Sequence, residues 1–200
     1  FIHNFGLNNT FLGVNSGNFS MSGYHNTALG YSSLFSNSLG YFNTSVGCFS
    51  LQNNTNGYWN TAVGLSSMQN NSIGIGNTAM GLNSLYNSTS DYNTAVGSWT
   101  LYTNTSGSQN TSMGSYSMLS NVSGSCNTAI GHSALYSNLA DYNTALGFWS
   151  LKNNNKSTNN SSVGSYSLRS NITGNYNSAL GMYSLYFNSS GFQNTAVGTY

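Results

Sequence analysis

The stretches 60–68 (Asn-Thr-Ala-Val-Gly-Leu-Ser-Ser-Met) and 93–101 (Asn-Thr-Ala-Val-Gly-Ser-Trp-Thr-Leu) carry the pattern that decides the fold. The five-residue core of this pattern recurs along the whole chain. Its glycine stands at Gly13, Gly30, Gly47, Gly64, Gly81, Gly97, Gly114, Gly131, Gly147, Gly164, Gly181 and Gly198. The step between these glycines is 17 residues, shortened to 16 in two repeats. A period this short and regular predicts a solenoid in which each repeat forms one coil and neighbouring coils stack.

Each repeat holds two apolar anchors separated by Gly, Asn and Ser, except the first, which has Gly17 at the second anchor position. The first anchor directly precedes the motif glycine, as Val63 does, and the second follows four residues after it, as Met68 does. No helical spacing of apolar residues persists, and short apolar segments bounded by turn residues favour strands. The sequence therefore predicts an all-β fold. We expect a parallel β-solenoid, or β-roll, of about twelve coils of 16–17 residues with two short strands per coil, continuous over residues 1–200.

The residue between the motif threonine and the first apolar anchor is Ala or Ser in every repeat except the first, which has Phe11. Side chains alternate between the two faces of a strand. If the apolar anchor points into the coil, the threonine also points inward and the small residue points outward. An outward column restricted to small residues predicts a subunit interface, although Ala and Ser also simply suit a β-face. The alanines of this column are Ala28, Ala62, Ala79, Ala95, Ala129, Ala145, Ala179 and Ala196.

Aromatic residues recur before the motif asparagine and before the second apolar anchor. Aromatic side chains stack well on a pleated surface, so a structural role is favoured. A binding platform for glycans or a receptor is the alternative. Its candidate residues are Trp59, Trp99, Trp149, Tyr92, Tyr142 and Tyr176.

Asn and Gly in the remaining positions are typical of tight turns. Asn121 and Asn171 also lie in glycosylation sequons, but turn chemistry is the stronger interpretation of residues in so Asn-rich a chain. Asp91 and Asp141 lie in the two shortened repeats, where we expect them to cap turns.

Composition argues against several classes of function. Charged residues make up 2% of the chain and the net charge is +1, so no electrostatic footprint for nucleic acid exists. No apolar run reaches the ~20 residues of a membrane helix. The three histidines are scattered, and Cys48 and Cys126 occupy different motif positions, several coils apart. The sequence therefore predicts no catalytic residues, no metal ligands and no cofactor.

The two ends of the sequence resemble parts of one interrupted coil. The residues from Phe1 to Gly6 read as the remainder of a coil, with Ile2 at the position of the second apolar anchor. We therefore expect either a window of a longer array or a unit that stacks end to end.

The Asn-Thr-Ala-x-Gly core with its following leucine or methionine, as in 60–68 and 93–101, resembles the head repeats of trimeric autotransporter adhesins and the longer repeats of tail-fibre-like surface proteins. The resemblance covers essentially the whole chain. It implies a left-handed parallel β-roll, three of which pack around one axis through their first strand.

These observations together predict a non-catalytic extracellular rod at a cell or virion surface, such as an adhesin head, tail fibre or surface filament. We expect it to be a homo-oligomer, either a trimer or an end-to-end filament. Two alternatives remain open: a fibre that binds carbohydrate or a receptor through its aromatic columns, and an ice-binding solenoid. The predicted inward orientation of threonine counts against the second alternative.

Overall fold

The chain forms one continuous parallel β-solenoid, which confirms the predicted fold class. In the computed structural model, residues 2–5 and 8–200 are described. They contain thirteen strands in a single sheet, arranged in chain order. The strands are β1 (Ile2–Phe5), β2 (Asn9–Leu12), β3 (Thr27–Leu29), β4 (Thr44–Val46), β5 (Thr61–Val63), β6 (Thr78–Met80), β7 (Thr94–Val96), β8 (Thr111–Met113), β9 (Thr128–Ile130), β10 (Thr144–Leu146), β11 (Ser161–Val163), β12 (Ser178–Leu180) and β13 (Thr195–Val197).

Strands β2 to β13 pair in parallel, each in register with the equivalent residues of the next repeat. Ala62 lies opposite Ala79, for example, and Val63 opposite Met80. The two shortened repeats keep this register, since Thr78 still pairs with Thr94. One coil therefore rises by the ordinary spacing between strands, about 4.8 Å.

The prediction that Ile2 continues the column of second anchors is wrong. Strand β1 runs antiparallel to β2 and places Ile2 opposite Leu12. The segment around it thus forms an additional edge strand and not the remainder of a coil. Phe1 and Gly6, which the same expectation included, lie outside the described residues.

The predicted second strand of each coil is also wrong. The segment after the motif glycine is a turn, in which two residues per coil adopt the left-handed conformation; Trp99 has φ 60° and Leu101 has φ 50°. Such angles are incompatible with an extended strand. The segment still bonds to the next coil, since the Leu101 amide donates to the Ser117 carbonyl at 3.1 Å. The second anchors are nonetheless buried as predicted: Leu34, Leu51, Met68, Leu85, Leu101, Met118, Leu135, Leu151 and Leu168 are all 0% exposed.

The orientation of the first strand is the reverse of the predicted one. Ala62 and Ala95 are 0% exposed, whereas the threonine and the apolar residue on either side of each are half-buried. Ala28, Ala79, Ala129, Ala145 and Ala179 are likewise buried inside their own coil, and Ala196 in the last coil is half-buried. These alanines therefore cannot form a subunit interface. The column is small because the second anchor of the same coil already fills the interior.

The first coil shows that the two interior positions share one space. Phe11 stands at the alanine position and is 1% exposed, while Gly17 stands at the position of the second anchor. A Cβ added to Gly17 would lie 2.4 Å from a carbon of the Phe11 ring. The phenyl ring thus occupies the volume that leucine or methionine fills in the other coils.

Two columns of buried asparagines run along the interior, the second of which begins at Asn37 and has Ser88 in one coil. Each motif asparagine bonds to the next: Asn26 Oδ1 accepts from the Asn43 backbone amide at 3.0 Å and from Asn43 Nδ2 at 3.1 Å. Asn43 Nδ2 also donates to the Gly57 carbonyl within its own coil. The second column includes Asn54, whose Nδ2 donates to Asn37 Oδ1 at 2.8 Å. Buried amides need partners, and here most of those partners belong to the adjacent coil.

The motif glycine is required by both conformation and space. Gly97 has φ 133°, which residues with a Cβ rarely adopt. A Cβ there would also lie 2.8 Å from the carbonyl carbon of Gly114 in the next coil. Stacking at the strand spacing therefore excludes a side chain at this corner.

We expect Phe11→Ala to destabilise the first coil by about 3–5 kcal/mol, because it leaves a cavity that no neighbour fills. The double variant Phe11→Ala/Gly17→Leu should recover most of this loss, since Leu34 adopts φ 55° at the equivalent position. Urea unfolding together with hydrogen exchange of the first coil measures both effects. Gly17→Leu alone should destabilise by overpacking. A double variant no more stable than Phe11→Ala would show that the two positions do not share one volume.

We expect Asn93→Ala to cost about 1–3 kcal/mol, because it leaves the buried Asn110 backbone amide without its acceptor, Asn93 Oδ1. The control is Asn70→Ala. Asn70 bonds to Asn53 and Asn87 in a surface column where water can replace it, so its loss should cost less than about 1 kcal/mol. Equal midpoints of urea unfolding for the two variants would contradict a special role for the buried column.

Candidate functional site

The outer face of the parallel sheet carries two side-chain columns, one of threonine or serine and one of apolar residues. We call these two columns the Thr/apolar strip. Its apolar members are Leu12, Leu29, Val46, Val63, Met80, Val96, Met113, Ile130, Leu146, Val163, Leu180 and Val197. Leu29 is 42% exposed, Met80 44% and Ile130 39%. One apolar side chain in each coil therefore faces outward in an unbroken row.

No charged residue lies in the Thr/apolar strip, because all five charged residues of the chain occupy other positions. The apolar column mixes Leu, Val, Met and Ile, so the distance by which its side chains project from the sheet varies from coil to coil. Bulky side chains such as Trp59 and Tyr142 precede the strand in several coils, and they are 56% and 61% exposed. The strip is thus an apolar and hydroxyl-bearing band beside aromatic residues.

The sequence contained one signal for the correct orientation of the first strand. Phe11 and Gly17 are the exceptions to two different columns, and both occur in the same repeat. A large residue replacing a small one, matched by a glycine replacing a large one, indicates that both positions face the same interior.

The six residues of the predicted aromatic platform fall into two separate columns. Trp59, Tyr92, Tyr142 and Tyr176 precede the motif asparagine and are exposed, whereas Trp99 and Trp149 follow the motif glycine and are half-buried. They do not form one surface.

Several other rings stack directly on rings of the next coil. The Tyr24 and Tyr41 ring centroids are 5.1 Å apart and those of Tyr41 and Tyr58 are 4.5 Å apart, with interplanar angles of 7° in both pairs. The pKa of Tyr41 is raised by burial and by these two neighbouring hydroxyls. Stacking of this kind occupies ring faces that a sugar would need, so these columns stabilise the rod.

Two of the three cationic side chains of the protein meet at one aromatic cluster. Lys152 Nζ lies 3.8 Å from the centroid of the Trp149 ring, and the guanidinium carbon of Arg169, in the next coil, lies 4.9 Å from it. Arg169 Nη1 also donates to the Tyr186 hydroxyl at 2.7 Å. The pKa of Lys152 is lowered, mainly because burial desolvates its ammonium group and also because Arg169 repels it.

The two aspartates serve turns, as predicted. Asp91 Oδ1 accepts from the Ile75 amide at 2.8 Å, and Asp141 Oδ1 accepts from the Ser125 amide at 2.7 Å. Asn121 and Asn171 are 0% exposed and belong to the second buried asparagine column, which explains them without glycosylation.

No cluster of metal-ligating side chains is found among residues 2–5 and 8–200. Cys48 and Cys126 are both free. The described part of the chain also has no helix able to cross a membrane.

Comparison with protein-family models, curated proteins and solved structures finds no match to this chain. Its functional interpretation therefore depends on the geometry of its surfaces.

We expect Arg169→Gln to raise the pKa of Lys152, because it removes the repulsion between the two cations. The pKa should remain below its ordinary value, since burial of the ammonium persists. A lowered folded pKa means that the unfolded chain binds more protons in the window between the two values, so this group makes stability rise with pH there. An NMR titration of the Lys152 side chain measures the shift. Lys156→Gln, the control, should leave it unchanged.

Proposed function

We propose that this chain is a non-catalytic structural rod that assembles with copies of itself through the Thr/apolar strip. The observation that carries the proposal is the continuous outward row of apolar residues along a solenoid whose coils all stack in register.

The interior of the solenoid supports a mechanical role. Backbone and asparagine ladders join every coil to its neighbours, so bending or opening one coil breaks hydrogen bonds in two others. Repetition of one unit gives a structure whose length scales with the number of repeats. Such an architecture suits a spacer or fibre.

A second copy of the chain is the occupant that the strip fits best. Contiguous exposed apolar surface is unusual on a protein that works as a monomer. The strip carries no charge, so two identical strips do not repel each other, and threonine hydroxyls can bond across the contact. Packing of this face in a trimer also agrees with the resemblance to adhesin heads noted from the sequence, in which the first strand faces the common axis.

Ice binding gains support from the corrected orientation, because the threonine column faces outward and repeats once per coil. Two features favour the protein partner instead. Contact with a plane of an ice crystal requires a flat protein surface. The side chains of the apolar column differ in size, and exposed aromatic residues such as Trp59 and Tyr92 precede the strand, so this surface is not flat.

The composition supports a location at a cell or virion surface. Charged residues are 2% of the chain, and the exterior is shared by hydroxyl, amide, apolar and aromatic side chains. An extracellular fibre of an adhesin or tail-fibre type is the corresponding biological role.

The test of assembly compares three double variants with the wild-type chain. Val96→Lys/Ile130→Lys places two charges in the strip and should give a folded monomer. Val122→Lys/Ile172→Lys adds the same charges at exposed turn residues and should assemble as the wild type does. Ala95→Lys/Ala129→Lys should unfold its coils, at a cost above about 4 kcal/mol, because the charges would be buried inside them. Light scattering and circular dichroism distinguish these outcomes.

A monomeric wild-type chain would contradict the assembly proposal. Inhibition of ice recrystallisation by that monomer, lost in Val96→Lys/Ile130→Lys, would identify the strip as an ice-binding surface instead.

A further inference from the structure

We propose that the cluster of Lys152, Arg169, Trp149 and Tyr186 is a binding site for the carboxylate or sulfate group of an acidic glycan. This inference concerns a different part of the coil from the Thr/apolar strip and goes beyond the structural role proposed for the rod.

Positive charge is concentrated in this cluster. The chain has three cationic side chains, and two of them lie in consecutive coils against the same indole ring. Like charges this close repel each other, which costs free energy in a chain that has almost no other charge. An anion bound between or beside the two cations would attract both of them and offset their mutual repulsion.

Carboxylate acceptors for the two cations are scarce. The protein has two carboxylate side chains, and both Asp91 and Asp141 accept backbone amides in turns. Trp149 Nε1 and Arg169 Nε are buried and find no acceptor among the described residues. Being buried, these two atoms cannot contact a surface anion themselves; the donors that can are the Lys152 ammonium and the remaining guanidinium N–H groups of Arg169.

The number and surroundings of the cations indicate the kind of anion. Nucleic acids are held by several phosphate contacts, and two cations supply too few of them. The surroundings of the pair are aromatic and hydroxyl-bearing: Lys152 Nζ also lies 5.8 Å from the Tyr136 ring centroid, and the Arg169 guanidinium carbon lies 5.5 Å from that of Tyr186. The Trp149 ring is already covered by Phe148 and by the two cations, so the Tyr136 and Tyr186 hydroxyls are the groups that suit the hydroxyls of a sugar next to the charged substituent.

The stacking of coils determines the relative position of Lys152 and Arg169. Lys152 and Arg169 occupy equivalent positions of consecutive repeats, where Gln69, Tyr102 and Leu119 stand in other coils. Because consecutive coils are about 4.8 Å apart, the two side chains extend from neighbouring backbones in the same direction. The site is therefore placed by the coil stacking and needs no loop of its own.

The test uses the Trp149 indole N–H resonance as the reporter, with the Trp59 and Trp99 resonances as internal controls. The probes are a sulfated tetrasaccharide, a uronic acid tetrasaccharide, an uncharged tetrasaccharide, sodium sulfate and a single-stranded oligonucleotide. We expect at least one of the acidic tetrasaccharides to shift the Trp149 resonance alone and to bind in calorimetry more tightly than the other probes.

Lys152→Gln and Arg169→Gln should each weaken binding by roughly tenfold, because each removes a charged hydrogen-bond donor. Lys156→Gln is the matched control, since Lys156 is exposed, lies four residues from Lys152 and does not contact Trp149. It should leave the affinity unchanged.

The proposal fails if neither acidic tetrasaccharide shifts the Trp149 resonance, or if Lys156→Gln weakens binding as much as Arg169→Gln does. Equal affinity for sodium sulfate or tighter binding of the oligonucleotide would overturn it in favour of a simple anion site or a nucleic-acid site. The same titration on Val96→Lys/Ile130→Lys separates this site from assembly, since binding to the folded monomer should persist.

Discussion

The interior of each coil has room for one large side chain, and this limit determines most of the molecule. A leucine or methionine fills the space in ten of the coils, such as Leu101 in its coil, so the facing strand position must hold alanine or serine. The first coil obeys the same limit with the sizes exchanged between Phe11 and Gly17. Because the strand turns its small residue inward, its threonine and its apolar residue have to face outward. The surface proposed for assembly is thus a consequence of how the core is filled.

The polar part of the interior explains why the coils occur as a stack. Asn43 satisfies its side chain with Asn26 on one side and Asn60 on the other, so a single coil would leave buried amides without partners. An unsatisfied buried polar group costs about 1–3 kcal/mol, and most coils contribute two such asparagines, with Ser88 in place of the second one in the coil of Asn77. The hydrogen bonds that make an isolated repeat unfavourable are the ones that make a long array stiff. This arrangement links the repeated sequence directly to the proposed mechanical role.

The sequence was sufficient to predict the solenoid, the coil length and the column of second anchors, because each depends only on periodicity. Which side chains of the strand face inward depends on the shape of the coil's cross-section, and the repeat length does not specify that shape. Val63 and Ala62 were both candidates for the interior, and hydrophobicity alone favoured the wrong one. The turn after Gly64 was likewise read as a strand, although residues such as Trp99 and Leu101 adopt positive φ there. Tertiary stacking imposes this conformation at a local cost of about 1–2 kcal/mol per residue, and no propensity rule anticipates it.

The cation cluster was invisible in the sequence for a related reason. Lys152 and Arg169 are 17 residues apart and look unrelated until the coil length places them at equivalent positions of neighbouring coils. Once they are stacked, the low charge of the rest of the chain makes the pair stand out, because Lys156 is the one other lysine or arginine and lies apart from them. The neutral strip and the charged cluster occupy different columns of the same coil, Leu146 in the first and Lys152 six residues later. A solenoid can therefore assemble through one column while another stays available to a ligand, and adding or replacing side chains in one column leaves the other in place.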